Sequence, residues 1–289
     1  MPYAALTATL LLWASSFPAI KVGLDAYSAT QLAALRFAIA SSILGCVAPL
    51  YRIRIPRRQD VALIMALGLL GVASYHTLLN FGETLTTASA ASFIANTAPL
   101  FSALFARAVG ETTSRGSWLG LFIGLVGVWL ISASLPGHFV LNGGCLLLLL
   151  AAICWSLFFV LQKPLLVHYS PLEVTCYAVW TGTLALGFFL PAAAMTAATA
   201  NLTATVSVVY LGILPTACAY LCWSYVLSQI SVSRAAIYTY LVPVISTAMA
   251  YAWLGEQPTM LFSIGAGAVL LGVAIAHRSE RAVVQRARG

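Results

Sequence analysis

Apolar residues run along the chain in continuous blocks of about 20, enough to cross a hydrocarbon core of roughly 30 Å. Polar and charged residues collect in short stretches between the blocks. The blocks do not alternate apolar with polar, so each reads as a helix and not as a strand of a closed barrel. In lipid the backbone must satisfy its own hydrogen-bonding groups, and a helix does so within one segment. Ten spans are expected, near residues 3–23, 28–50, 60–80, 85–108, 116–135, 142–162, 171–194, 203–227, 232–254 and 258–277. The predicted fold class is an all-α integral membrane protein. Residues 278–289 read as a basic cytoplasmic tail.

Composition sharpens this picture. Hydrophobic residues make up 61% of the chain and charged ones 7%, against about 25% charged in a soluble domain. A soluble fold of this length has no core large enough for that much apolar surface. The formal net charge of +7 falls at span ends. It therefore reads as the basic rim of a membrane protein and not as a nucleic-acid surface. Cys46, Cys145, Cys154, Cys176, Cys218 and Cys222 lie inside apolar runs without CxxC or zinc-ligand spacing. They read as small packing residues, and no metal or cofactor is expected. The first apolar run lacks a basic leader and a cleavage site, so it is expected to remain as a helix.

Lys and Arg positions orient the spans. With the N-terminus in the cytoplasm, the inner connections hold Arg52, Arg54, Arg57, Arg58, Arg107, Arg115, Lys163 and Arg234. The tail adds Arg278, Arg281, Arg286 and Arg288, which makes twelve of the 14 basic residues. Both termini are therefore expected in the cytoplasm of a cell that carries the protein in its inner membrane.

The second half of the chain echoes the first. Trp13, Phe17 and Lys21 recur as Trp155, Phe159 and Lys163, each shifted by 142. Pro99 matches Pro243, Gly110-Glu111 matches Gly255-Glu256, and Gly120 and Gly127 match Gly265 and Gly272. Residues 1–137 and 138–277 thus read as two repeats of five spans. An odd number of spans inverts the second copy in the membrane. Inverted repeats are a transporter architecture, with the substrate site near the midplane between the copies.

These features resemble the drug/metabolite transporter superfamily and its EamA family. The residues that carry the resemblance are the Trp-x3-Phe-x3-Lys stretch of span one and the Gly-Glu that follows a proline-containing fourth span. Within that family the chain is most similar to the YddG-type exporters of amino acids. The resemblance implies a central cavity lined by spans one, three, four, six, eight and nine, and a substrate moved by alternating access.

Candidate site residues follow from helical spacing. Trp13 and Phe17 share one face of span one, and Trp155 and Phe159 share one face of span six. Aromatic rings offer large apolar contacts and attract a substrate ammonium through their π faces. His76 and Asn80 share a face of span three, and Tyr220 and Ser224 one of span eight. Polar side chains inside a membrane often mark a substrate path, though they also serve as interhelical glue. Asn96 in span four and Tyr238 in span nine complete the candidate lining. Pro99 and Pro243 are expected to kink their helices. Lys21 and Lys163 sit at helix C-terminal ends, where a cation complements the macrodipole. Arg36 lies about eight residues into span two, roughly 12 Å deep at 1.5 Å per residue. A lone cation there is costly, and a structural or gating role is expected. The glycines of spans five and ten suit either internal packing or a dimer face. A monomer is expected, with a dimer left open.

The acidic residues Asp25, Asp60, Glu83, Glu111, Glu173 and Glu256 all map near span ends. Proton-coupled exporters often use a buried carboxylate, so facilitated movement down the substrate gradient is expected. Lys and Arg are not clustered as a phosphate site would need. The expected substrate is a neutral, preferably aromatic, amino acid or a related small metabolite. The alternative is multidrug or other metabolite efflux, with His76 as the titratable group for proton coupling. No hydrolase, metalloprotease or nucleotide-binding motif is present, so no enzyme is expected.

Overall fold

The computed structural model describes residues 2–85, 93–134, 142–254 and 259–286. Among these residues every regular element is helical. Eight stretches are long and apolar enough to cross a membrane: Pro2–Leu24, Ala29–Val47, Arg58–Gly82, Arg115–Ala133, Gly143–Leu166, Pro171–Ala197, Leu202–Gln229 and Met260–Ser279. The expected span at 85–108 is described only in part, because residues 86–92 lie outside the described residues; its final helix is Ala98–Ala108. The expected span at 232–254 is broken into Val232–Ile237, a tight turn at Tyr238–Tyr240, and Leu241–Leu254.

The elements are α1 (Pro2–Leu24), α2 (Ala29–Val47), α3 (Val61–Gly68), α4 (Tyr75–Leu85), α5 (Ala98–Ala108), α6 (Arg115–Ala133) and α7 (Gly143–Leu166). They continue as α8 (Pro171–Leu186), α9 (Leu190–Ala197), α10 (Leu202–Leu211), α11 (Ala219–Gln229), α12 (Val232–Ile237), α13 (Leu241–Leu254) and α14 (Met260–Arg286). They form two compact units. The first combines Met1–Asn80 with Leu161–Gln229, and the second combines Phe81–Val160 with Ile230–Gly289. Each unit draws elements from both predicted halves of the chain.

In the first unit, α1 packs on α10 and α11, and α2 and α3 pack on α8. Two elements begin with the same cap. Ser28 and Gln31 form a capping box at α2, and Ser170 and Glu173 form one at α8, where Pro171 fills the first turn. Such a box satisfies two orphan N–H donors reciprocally. α3 runs into α4, and α10 into α11, through π-helical segments at Leu69–Ser74 and Gly212–Cys218. In the second segment Pro215 lacks the N–H that the regular ladder needs, and the Thr216 hydroxyl donates to Leu211 O instead (2.8 Å).

Two close crossings hold this unit together, and they mirror each other. A Cβ at Gly68 would meet Ala178 O at 2.8 Å, and one at Gly212 would meet Arg36 O at 2.9 Å. Gly68 and Gly212 are 144 residues apart, and Arg36 and Ala178 are 142 apart. Ser41 and Thr183, also offset by 142, share a hydrogen bond of 2.7 Å between their hydroxyls.

At one end of the first unit, polar groups tie the α2–α3 connection to the α7–α8 connection. Arg54 donates to both carboxylate oxygens of Glu173 (2.7 and 2.8 Å) and to His168 O. The Glu173 carboxylate holds the Arg54 guanidinium above its already high pKa. Tyr169 donates to Asp60, and Tyr177 donates to Arg54 O.

The second unit is built on α6 against α14. A Cβ at Gly127 would meet Gly265 O at 2.7 Å, and one at Gly272 would meet Gly120 O at 2.5 Å. The partners exchange roles across an offset of 145. These glycines therefore serve packing within the chain, one of the two uses open from sequence. Here too matching caps start the paired helices: Ser114 accepts from Ser117 N, and Thr259 accepts from Phe262 N. Glu111 accepts from the Val232 and Ser233 N–H groups at the start of α12, where a negative charge suits the helix dipole.

Large apolar side chains such as Phe122, Trp129, Leu184, Phe188, Leu270 and Leu271 are exposed on these helices, as a lipid-facing surface requires. Cys145 and Cys176 are buried, while Cys46 and Cys218 are exposed on apolar helices; all six cysteines are free thiols.

The glycine crossing gives a direct test. Gly127→Ala forces a Cβ onto the α14 backbone and should destabilise by about 1–3 kcal/mol. Gly267→Ala, on the same α14 but with nothing within 4 Å, should be neutral or mildly stabilising. Thermal unfolding of both purified variants in detergent measures the difference.

Candidate functional site

The first unit encloses an aromatic and polar cluster. His76 Nε2 and the Tyr220 hydroxyl share a hydrogen bond of 3.1 Å, and both side chains are buried. The π-helical segment at 69–74 immediately precedes Tyr75 and His76, and the one at 212–218 precedes Tyr220. Such segments shift the helix face that follows them and are frequent at functional sites. Trp13 from α1 lies edge-on to Tyr220 (6.4 Å between centroids) and 5.2 Å from Trp223. Phe37 packs edge-on to His76 (4.8 Å) and Tyr220 (6.0 Å). Arg36 Nε donates to Thr216 Oγ1 (3.0 Å) in the same neighbourhood.

Of the residues expected from sequence, this cluster brings together Trp13, His76 and Tyr220, with Arg36 beside them. Phe37, Thr216 and Trp223 were not singled out. Thr216 carried a signal, being a hydroxyl next to Pro215 in an otherwise apolar run. The two aromatic residues carried none that separates them from ordinary core.

Other expected residues of the first unit lie outside this cluster and make their own bonds. Ser224 donates to Gln162 Oε1 (2.8 Å) and bonds to Thr175 (3.0 Å), and all three are buried. This is interhelical glue among α7, α8 and α11. Gln162 was hidden in the sequence by its neighbour Lys163, which reads as a helix end. Lys163 Nζ donates to Leu227 O (2.7 Å), near the C-terminus of α11, where a cation satisfies an orphan carbonyl. Asn80 Nδ2 donates to Ala29 O (2.9 Å) and ties α4 to the start of α2. Phe17 and Lys21 lie on α1, and their side chains are outside the described residues.

In the second unit Trp155 stacks on Phe158 (5.2 Å) and tilts against Phe159 (5.0 Å). Phe158 and Phe159 are fully buried, and Trp155 is 9% exposed. Ser156 donates to Ala98 O (2.8 Å) and to Ala152 O, and so fixes α7 to the start of α5. Asn96 lies in the turn just ahead of Pro99 and is partly buried. Pro99 itself sits in the first turn of α5, and Pro243 in the first turn of α13. The helical ladder is interrupted ahead of each proline, where a missing N–H costs nothing. Tyr238, in the turn that precedes α13, hydrogen-bonds His277 Nδ1.

The EamA-like transporter family model matches residues 2–133 and 142–277. The chain belongs to the EamA-like transporter family. It is 38% identical to a probable terminal-alkyne amino-acid exporter of Streptantibioticus cattleyicolor, over 95% of this chain and 92% of that protein. It is also 38% identical to the uncharacterised transporter YdfC of Bacillus subtilis, over 90% of this chain and 85% of that one. A crystal structure of a protein 23% identical superposes with a TM-score of 0.76, covering 97% of this chain and 98% of that one, and shares the fold. EamA-like proteins with names of this kind are transporters and not enzymes. The chain is accordingly a multi-span membrane transporter.

Tyr220→Phe removes the hydroxyl that bonds His76. It leaves a buried ring nitrogen without that partner and should cost about 1–3 kcal/mol. His76→Leu combined with Tyr220→Phe should cost less than the two single changes added together, because neither partner is then stranded. Apparent melting temperatures of the three variants give the coupling.

Proposed function

We propose that the protein exports neutral amino acids, aromatic ones among them, across the inner membrane by alternating access, down their own gradient. The observation that carries this reading is the cluster of Trp13, Phe37, His76, Tyr220 and Trp223 in the first unit. Its rings suit an apolar side chain and an ammonium, and its neutral polar groups can orient a zwitterion. Among the described residues no carboxylate hydrogen-bonds His76 or Arg36, which argues against a cation pump. The name of the Streptantibioticus relative supports the amino-acid class.

The same proposal includes ten spans arranged as two inverted repeats, 1–137 and 138–277, followed by a basic cytoplasmic tail at 278–289. Support comes from the two stretches matched by the family model and from the recurring offsets of 142–145 in caps, π-helical segments and glycine crossings. Inversion gives the two copies exchangeable conformations, which alternating access requires. Trp155, Phe159, Asn96 and Tyr238, and Phe17, Asn80 and Ser224, are proposed as further substrate-binding residues. Pro99 and Pro243 mark the helix interruptions available as hinges. Lys21 and Lys163 are proposed as gating cations, with Lys163 acting through its cap on α11. Both termini face the cytoplasm, and the working unit is a monomer.

Purified protein in proteoliposomes should move L-phenylalanine and other neutral amino acids down their gradients, with the same rate whether or not a pH gradient is imposed. Trp155→Ala and His76→Ala should each lower that rate by about tenfold, about 1.4 kcal/mol of lost contact. Transport of other metabolites with no movement of neutral amino acids would sink the reading.

A further inference from the structure

Arg36 presents an unbalanced charge. It is 4% exposed and lies inside a helix apolar enough to cross the membrane. Its Nε donates to Thr216 Oγ1. Nη1 and Nη2 donate to no protein group, and no carboxylate pairs with the guanidinium, among the described residues. The Phe37 ring, 5.4 Å from the guanidinium carbon, offers only a weak π contact. A cation held in a membrane without a partner anion is costly and is a functional site by default.

The protein supplies its own control for the structural explanation. The crossing at Gly212 and Arg36 O is repeated at Gly68 and Ala178 O. At the offset of 142, the position of Arg36 is taken by Ala178, and at the offset of 144 that of Thr216 is taken by Val72. Both replacements are buried and apolar. The same close approach of helices is thus made without any charge. His76 and Tyr220, by contrast, are themselves related by the offset of 144 and bond to each other. The cluster is symmetric in its neutral polar pair and asymmetric in its cation.

We infer that Arg36 is the carboxylate anchor of the transported molecule, its two Nη nitrogens receiving the two oxygens beside the His76–Tyr220 pair. A planar guanidinium matches a carboxylate bidentately, which a lysine cannot do. The aromatic rings around it receive the apolar side chain of the same molecule. This rests on the reading of the chain as an amino-acid exporter only for the identity of the ligand. The requirement for a carboxylate comes from Arg36 itself.

The test is equilibrium binding to the full-length protein in lipid nanodiscs. The probes are L-phenylalanine, 3-phenylpropionate and L-phenylalaninamide, which lacks the carboxylate. A charge-assisted hydrogen bond contributes about 1.5–3 kcal/mol, or roughly 10- to 100-fold in affinity. The two acids should therefore bind at least about tenfold more tightly than the amide, on that same conversion. Arg36→Gln should bring acids and amide to equal affinity. Thr216→Val, which removes only the protein partner of Nε, should keep the acid preference. If Arg36→Gln does not fold, Arg36→Lys decides: any fall in acid preference supports the anchor, and an unchanged preference overturns it. The anchor is also overturned if the wild type shows no acid preference, if Arg36→Gln retains it, or if Thr216→Val abolishes it as fully as Arg36→Gln does. An acid preference that depends on Arg36, in a protein that moves no amino acid in proteoliposomes, would sustain the anchor and overturn the exporter reading. Amino-acid transport with an acid preference indifferent to Arg36 would do the reverse.

Discussion

Hydrocarbon offers no hydrogen bonds, so every polar group carried into a membrane must find its partner inside the protein. The arrangement of each unit follows from that constraint. Helices satisfy the backbone, and capping boxes at Ser28 and Ser170 close two of their open ends. Hydroxyls that cannot face lipid bond across helices, as Ser41 does with Thr183 and Ser224 with Gln162. Where helices must approach so closely that a methyl group would collide, glycine stands at the contact, at Gly68, Gly212, Gly120, Gly127, Gly265 and Gly272. With water and ions excluded, packing and these hydrogen bonds carry the specificity that a hydrophobic core supplies in a soluble fold.

The same constraint makes the departures informative. π-helical segments at 69–74 and 212–218 release backbone groups from the regular ladder and precede His76 and Tyr220, which bond to each other. A polar centre ringed by Trp13, Phe37 and Trp223 is expensive to build in an apolar span unless it binds something. Membership of the EamA-like family makes the chain a transporter, and the proposal is that this centre receives the transported solute. The proposed assignment of a zwitterion fits the mixture of rings, neutral donors and one cation. Under that assignment each part of the mixture would meet a different part of an amino acid.

Much of this was legible in the sequence, for identifiable reasons. Continuous apolar runs reveal helices because a membrane helix needs no amphipathic pattern to be recognised. The recurring Trp, Pro and glycine positions pointed to duplicated contacts, and the glycine pairs of α6 and α14 do meet reciprocally. His76 and Tyr220 stood out as polar residues in apolar company. What the sequence hid was partnership. Ser224 and Asn80 were legible as polar residues inside apolar spans, but their bonds to Gln162 and to Ala29 O were not. Lys163 was legible as a helix-end cation, but its bond to Leu227 O, which caps α11, was not. Phe37 and Trp223 are indistinguishable in sequence from any buried aromatic. The breaks ahead of Pro99 and Pro243 were legible as prolines but misplaced by a few residues, since the ladder yields before the proline and not at it.

Central to this account is the proposed inversion, from which exchangeable conformations follow. Ser28 and Ser170 are equivalent N-caps at the offset of 142, and both are exposed. Inversion places them on opposite sides of the membrane. The decisive measurement is labelling of single cysteines at these two positions with a membrane-impermeant thiol reagent, the six native cysteines having been replaced by serine. The account predicts that Ser28→Cys is labelled in intact cells and Ser170→Cys only in inside-out vesicles. Labelling of both positions from the same side would contradict it.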